Sequence, residues 1–299
     1  MLTRQKILLR MLERACRPVS RLEITKWCFL LSRETPSGGC ASFYQFLPYH
    51  YGPFSFCLYR EADNLTREGA LKDSGGKHWE LGENLPGDVF ALPSQTKGDI
   101  DRILARCSQN SSHNLLDYVY RNYPEFTVNS RREGRLPRRL AQPSVYTAGY
   151  ASLQIDGFLN MLVQSGISRV IDVRHHPVAR RYGFHKATLE RLCKRLDIDY
   201  VHAPQLGIPS TLRRSLKTLD DYKTLFAQYE EEILQAESRS VEALATLVSQ
   251  RPSALVCAEA DPRFCHRSRL AAAISRITGL PVRHMEASEW KNGSCAPRF

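Results

Sequence analysis

The sequence predicts an α/β protein: a Rossmann-like, doubly wound, mostly parallel sheet over residues 144–299, preceded by a smaller winged-helix-like α+β domain. Three observations predict it. From Ser144 onward, short apolar runs alternate with helix-period stretches, the pattern of strand–helix–strand crossovers in a parallel sheet. Before that, helical stretches lead into Ala70–Leu81, which reads as two short strands around Ser74-Gly75-Gly76. At 299 residues the chain exceeds the usual single-domain size, so two domains are expected.

The first domain is expected over residues 1–95. Ile7, Leu8, Met11 and Leu12 lie at helical spacing within Gln5–Ala15. A second helix starts near Val19-Ser20, with Leu22, Ile24, Trp27, Cys28 and Leu31 as its buried stripe. A third covers Tyr59–Glu68 and ends at Gly69, a residue that tolerates the left-handed conformation of a helix C-terminus. Helices followed by a hairpin suggest a winged-helix-like module.

Residues 96–143 are expected to be a helical segment and a linker. The helix pattern over Lys97–Tyr120 is interrupted by serines and asparagines at 108–114, which compete for backbone hydrogen bonds. Arg131, Arg132, Arg135, Arg138 and Arg139 then stand against Glu133 alone in a Gly- and Pro-containing stretch. Such a segment is either an extended, solvated linker or an arm that contacts nucleic-acid phosphates.

In the second domain Val145–Ala148 is a strand, followed by a helix over Ser152–Val163 that Ser152 can cap. Ser168–Val173, Tyr200–His202, Ala254–Cys257 and Pro281–Met285 are further strands, with helices over 186–196, 219–236, 240–249 and 268–276 between them. In a parallel sheet all strand ends of one kind share an edge. Gly149, Tyr150, Asp172, Arg174, His202, Cys257 and Glu259 should therefore converge there, where open α/β sheets bind ligands.

Composition narrows the function classes. No apolar run approaches the roughly 20 residues of a membrane-spanning helix, so no membrane association is expected. No signal-peptide core follows the charged first residues, which makes a cytoplasmic location the expectation. Nine cysteines without a CxxC pair argue for reduced thiols. The formal charge of +11 and pI near 9.3 favour a polyanionic partner, nucleic acid above all.

Two resemblances follow from the motifs. Tyr49-His-Tyr-Gly-Pro-Phe-Ser55, with Leu65-Thr-Arg-Glu-Gly69, resembles the SocA-like (Panacea) antitoxin-associated domains over about residues 4–82. That resemblance implies protein interaction or regulation in toxin neutralisation or phage defence; the alternative is an aromatic plug that holds a small domain together. Tyr146–Tyr150, Val170–Arg174, Pro177–Phe184 with Lys186, Tyr200–His202 with Leu206-Gly207, and Cys257-x-Glu259-x-Asp261-Pro262-x-x-Cys265-His266-Arg267 resemble the domain-of-unknown-function 488 family. This second resemblance spans residues 145 to about 285 and implies a Rossmann-like sheet, but no settled reaction.

Candidate roles follow from residue chemistry. Arg174, Arg180, Arg181, Lys186, Arg263 and Arg267 would make a cationic cleft suited to phosphate, with Gly149, Tyr150, His176 and His202 as further substrate contacts. Only one of His175 and His176 is expected to face it. Asp172 and Glu259 are candidate acid–base groups, although Asp172 and Arg174 also suit a structural ion pair. Cys257, with Cys265 and His266 nearby, is a candidate thiolate. Cys257 to Arg263 fits C-x5-R, yet Glu259, Asp261 and Pro262 oppose a phosphate-cradling loop. Ile171–Arg174 is similar to an early rhodanese strand, but Cys257 lacks a glycine-rich loop. A deaminase-like zinc site on Cys257, Cys265 and His266 looks crowded along the chain, and neither a metal nor a cofactor is expected. Trp27, Trp79 and Trp290 read as packing residues.

The function expected is processing of a nucleotide or nucleic acid, at a base or N-glycosidic bond in the cationic cleft, in defence against mobile DNA. The alternative is a non-catalytic nucleotide sensor or DNA-binding regulator coupled to a partner protein through the N-terminal domain.

Overall fold

The computed structural model describes all residues except 41, 109–111, 214–215, 217 and 287–299. Trp290 and Cys295 therefore lie outside the described residues. The chain divides into two compact units, Met1–Pro137 and Arg138–Phe299.

The first unit combines helices with small antiparallel sheets. Helix α1 (Thr3–Ala15) buries Ile7, Leu8, Met11 and Leu12, and Cys16 ends it in the left-handed conformation. Strand β1 (Val19–Ser20) runs directly into α2 (Arg21–Glu34), whose first turn is capped by the Ser20 hydroxyl accepting from the Glu23 amide at 3.1 Å. Strands β2 (Leu47–Tyr49) and β3 (Gly52–Phe54) form a hairpin that the Tyr49–Ser55 motif encloses. Ser55 then caps α3 (Phe56–Arg67) through the Leu58 amide. The hairpin of β4 (Leu71–Ser74) and β5 (His78–Leu81) joins β1 in a three-stranded antiparallel sheet, order β1-β5-β4. Helices α4 (Ser94–Ser108) and α5 (Ser112–Asn122) pack on α2, which carries the unit on to Pro137. Trp27 and Trp79 are buried in this unit.

The second unit is a five-stranded, wholly parallel sheet. Its strands are β6 (Val145–Gly149), β7 (Arg169–Asp172), β8 (Asp199–His202), β9 (Ser253–Cys257) and β10 (Val282–Met285), in the order β10-β6-β9-β7-β8. Strands β6 and β9 are buried along their whole length, as central strands covered on both faces must be. Between the strands lie α6 (Ile155–Gln164), α7 (Lys186–Lys194), α8 (Leu219–Gln228) with a π-helical extension to Leu234, α9 (Ser238–Gln250) and α10 (Arg267–Thr278).

The strand order explains where the helices sit. The steps β6 to β7 and β7 to β8 run one way across the sheet; β8 to β9 and β9 to β10 return. Right-handed crossovers therefore put α6 and α7 on one face and α8 to α10 on the other. Val145, Ile171, Val173 and Leu255 form the core with Phe226, Leu244, Leu270 and Ile274 on that second face. Helix α6 begins at Ile155, with Gln154 at its N-cap position, three residues further on than the Ser152 start that the sequence suggests.

Candidate functional site

The carboxyl edge of the sheet gathers the chemistry. Gly149 at the end of β6 pairs with Cys257 at the end of β9, next to the point where the connections reverse direction. A Cβ on Gly149 would lie 1.8 Å from the carbonyl oxygen of Glu259, so only glycine lets the loop after β9 cross at this height. Gly207 likewise admits the backbone of His175, whose amide nitrogen would be 2.3 Å from a Cβ there. These close approaches bring the loops after β6, β7, β8 and β9 together.

Asp172 and Arg174 form a fully formed buried ion pair. Arg174 donates from Nε to Asp172 Oδ1 at 2.8 Å and from NH2 to Oδ2 at 2.5 Å. Its NH1 donates to Tyr150 Oη at 2.8 Å and to the Phe184 carbonyl at 2.7 Å. Tyr200 donates to Asp172 Oδ2 at 2.6 Å, and a ring nitrogen of His202 lies 3.0 Å from the Arg174 carbonyl. Burial disfavours the charge on Arg174, but the Asp172 carboxylate more than offsets this and keeps the guanidinium ionised. Burial and then the Asp172 charge push the Tyr200 phenol up, so it stays a proton donor. Tyr150 stacks on Phe184 with ring centroids 4.0 Å apart.

Glu259 anchors a second cluster beside this pair. Its Oε2 lies 3.0 Å from Cys257 Sγ and 3.1 Å from Cys265 Sγ, while Arg213 NH1 donates to Oε1 at 2.7 Å. Arg213 NH2 lies 3.0 Å from His266 Nδ1, and His266 Nε2 lies 3.0 Å from the Val173 carbonyl. That carbonyl is an acceptor, so Nε2 carries the proton and Nδ1 presents its lone pair to the cluster. The donor atoms of Cys257, Cys265 and His266 all lie within 4.8 Å of one another, and all three residues are buried. Along the chain these residues look crowded. The one-turn 3-10 helix Pro262–Phe264, capped by the Asp261 carboxylate on the Arg263 amide, folds Cys265 back towards Cys257.

The two thiols do not ionise alike. A hydrogen bond from Cys265 holds Cys257 well below the usual thiol range, against burial and with the His266 ring in support. Burial first, then the same bond and the charge on Cys257, push Cys265 up.

Between the two clusters lies a cavity of about 170 Å³ lined by Tyr150, Arg174, His175, His176, Val178, Ile208, Ser210, Arg213, Cys257 and Ala258. The Nδ1 of His175 is buried without a hydrogen-bond partner among the described residues. Burial, with the neighbouring His176 and His202, lowers the pKa of His175, which favours the neutral ring.

The other sequence candidates take different positions. Arg267 is buried at 1% exposure and spends its guanidinium on the carbonyls of Glu259 and Ala260, at 2.6 and 3.0 Å, so it holds the loop in place. Arg263 is exposed and paired with Asp261. Arg181 is exposed and donates to the carbonyls of Ala151 and Leu153; Arg180 and Lys186 are exposed. In the arginine segment of the first unit, Arg132 pairs with Asp117 at 2.6 Å, Arg135 donates to the Ser130 carbonyl at 3.1 Å and Arg131 is exposed. In the second unit Arg138 donates to the carbonyls of Leu196 and Ile167, whereas Arg139 is exposed.

Two ionisable cavity residues were not singled out by the sequence. Arg213 lies on the 3-10 turn Ser210–Arg213, in a stretch with no motif around it. His175 could be found only as one of a histidine pair, without indication of which would be left unpartnered. The described helices include none long and apolar enough to cross a membrane.

A family model described as a domain of unknown function, DUF488, matches residues 154–274, from the start of α6 into α10. No curated protein and no solved structure matches the chain.

Proposed function

We propose that the second unit processes a nucleotide or nucleic acid, with a phosphate-bearing substrate entering the cavity and reacting at a base or N-glycosidic bond. The observation that carries this reading is His175, a half-buried imidazole biased to its neutral form, whose Nδ1 has no hydrogen-bond partner among the described residues and which lines a cavity with Arg174 and Arg213. A small rotation that turns Nδ1 to the cavity makes a neutral imidazole a general base for water. The arginines supply positive charge for a phosphate. Ligand pockets for whole small molecules usually run to about 300–1,000 Å³. A cavity of about 170 Å³ therefore takes one group of the substrate, a base, a sugar or a phosphate, and leaves the remainder outside.

In this reading Asp172 positions Arg174 rather than handling protons, because Arg174 and Tyr200 occupy both of its oxygens. Glu259 holds Arg213 and the two thiols, and its side chain is the more exposed of the two carboxylates at 28%.

The same commitment of both carboxylates favours a second reading, a sensor that binds a nucleotide without converting it. One experiment separates the two. The full-length protein is incubated with nucleotides and with short single- and double-stranded DNA and RNA, and products and bound ligand are both followed by chromatography. Turnover by the wild type that is lost in His175→Gln with binding retained supports catalysis. Binding without product in both proteins supports the sensor, and neither binding nor product at low salt removes both readings.

For the first unit we propose a SocA-like, winged-helix-like interaction module that recruits a partner protein. The exposed Arg131 and Arg135 add sequence-independent phosphate contacts, in a system of defence against mobile DNA. Its support is the Tyr49–Ser55 motif, folded as a β-hairpin leading into a capped helix, together with the β4–β5 hairpin. Co-purification of a single partner with residues Met1–Pro137 attached to the full chain, lost on changing the β4–β5 tip, tests it.

A further inference from the structure

The Cys257–Cys265–His266 cluster has a donor set and an arrangement that the cavity chemistry above does not use. We propose that it binds a zinc ion, with Cys257 Sγ, Cys265 Sγ and His266 Nδ1 as ligands and Glu259 beside the fourth position. The proposal does not depend on the nucleotide reading.

Distances come first. In a tetrahedral zinc site with Zn–S near 2.3 Å and Zn–N or Zn–O near 2.0–2.2 Å, ligand atoms lie roughly 3.5–3.8 Å apart. Here Glu259 Oε2 is 3.0 Å from Cys257 Sγ and 3.1 Å from Cys265 Sγ, and Cys265 Sγ is 4.0 Å from His266 Nδ1. The Cys257, Cys265 and His266 donor atoms all lie within 4.8 Å of one another, so shifts of up to about one ångström, within side-chain adjustment, bring them to a coordination shell.

The surroundings point the same way. His266 donates from Nε2 to the buried Val173 carbonyl at 3.0 Å, the outer contact that fixes a ligating histidine's tautomer and turns its other nitrogen to the metal. Glu259 Oε1 is held by Arg213 at 2.7 Å, leaving Oε2 for the sulfurs. Arg267 clamps the Glu259 and Ala260 carbonyls, so the loop carrying the ligands is ordered before any ion arrives. The contact of Arg213 NH2 with His266 Nδ1 gives way on binding, and Arg213 remains as the outer partner of the carboxylate.

Charge and softness decide the ion. Both sulfurs bind as thiolates: Zn²⁺ and R–SH give Zn–S–R and H⁺, so the site releases whatever protons its two thiols hold. The two thiolates then balance the ion, and Glu259 balances Arg213, leaving a neutral buried site. Two sulfurs and an imidazole select zinc over magnesium or calcium, which take oxygen ligands.

The test uses the full-length chain without a histidine tag, produced in zinc-supplemented medium and purified under reducing conditions. Elemental analysis is expected to find about one zinc per chain, and Cys265→Ser and His266→Gln each to lose it. Independently of whether those variants fold, cobalt(II) added to metal-stripped wild type should give the intense visible bands of a tetrahedral site with sulfur-to-cobalt charge transfer, saturating at one equivalent. Zinc-free wild type that gives no such spectrum with its thiols reduced overturns the proposal. So does zinc retained unchanged in both variants, or a Cys257–Cys265 disulfide isolated under the reducing conditions.

Discussion

The Arg174 guanidinium lies against the Asp172 carboxylate two residues away in sequence, with Nε and NH2 each on one oxygen at 2.8 and 2.5 Å, and both side chains almost wholly buried. Tyr200, on the neighbouring strand β8, and Tyr150, just past the end of β6, complete the network. A buried pair of this kind contributes modestly as a whole, but removing one partner strands the other charge. Asp172→Asn or Arg174→Gln is expected to destabilise the second unit by about 3–5 kcal/mol. The double variant should cost clearly less than the two losses added, because the stranded charge is gone. Urea unfolding of the four proteins checks this; simple additivity would mean that the pair is not energetically coupled.

Gly149 carries a second prediction. A methyl group at this position would meet the Glu259 carbonyl at 1.8 Å, backbone against backbone, with no flexible side chain to yield. Gly149→Ala should therefore cost about 1–3 kcal/mol or more. It should also push the loop after β9 away from β6, exposing Cys257. Faster alkylation of Cys257 in the variant, alongside a lower melting temperature, is the expected result.

Much of the second unit was legible because parallel strands must be apolar throughout and must end together. Val170–Val173 and Ala254–Val256 announce themselves as buried strands, and their shared direction alone brings Asp172 and Cys257 to one edge. The individual roles were not legible. Arg267 stands in the first turn of a helix, where a cation reads as ligand-facing; the structure turns it inward, because the Glu259 and Ala260 carbonyls need donors in a buried loop. Arg213 lies 46 residues before the carboxylate it holds, and nothing in a single sequence reports that approach. The β2–β3 hairpin also escaped periodicity, since three-residue strands rich in proline and aromatic residues are too short to alternate visibly.

Arg213 offers a test of the cleft that spares the buried ion pair. It lines the cavity and has no role in the sheet. If a phosphate is bound there, Arg213→Gln should weaken nucleotide or oligonucleotide binding and lower the slope of log affinity against log salt by about one. Fluorescence anisotropy over a salt series measures both quantities. An unchanged slope would place the phosphate elsewhere.

Lys26 sets a pH dependence in the first unit. Its ammonium nitrogen donates to the Pro53 carbonyl at 2.7 Å, deep in the core at 3% exposure, and burial lowers its pKa to about 7. In the unfolded chain the same group titrates near 10.4, as free lysine does. Between these values the unfolded state holds a proton that the folded state has released, so stability rises with pH, by up to about 1.4 kcal/mol per unit. Below pH 7 both states are protonated and the full burial penalty applies. Lys26→Met removes the titrating group and should flatten the curve between pH 7 and 10, most visibly as a gain in stability near neutral pH. Urea unfolding followed by the fluorescence of Trp27 and Trp79 across that range measures it, and a wild-type stability that is flat or falls between pH 7 and 9 would contradict it.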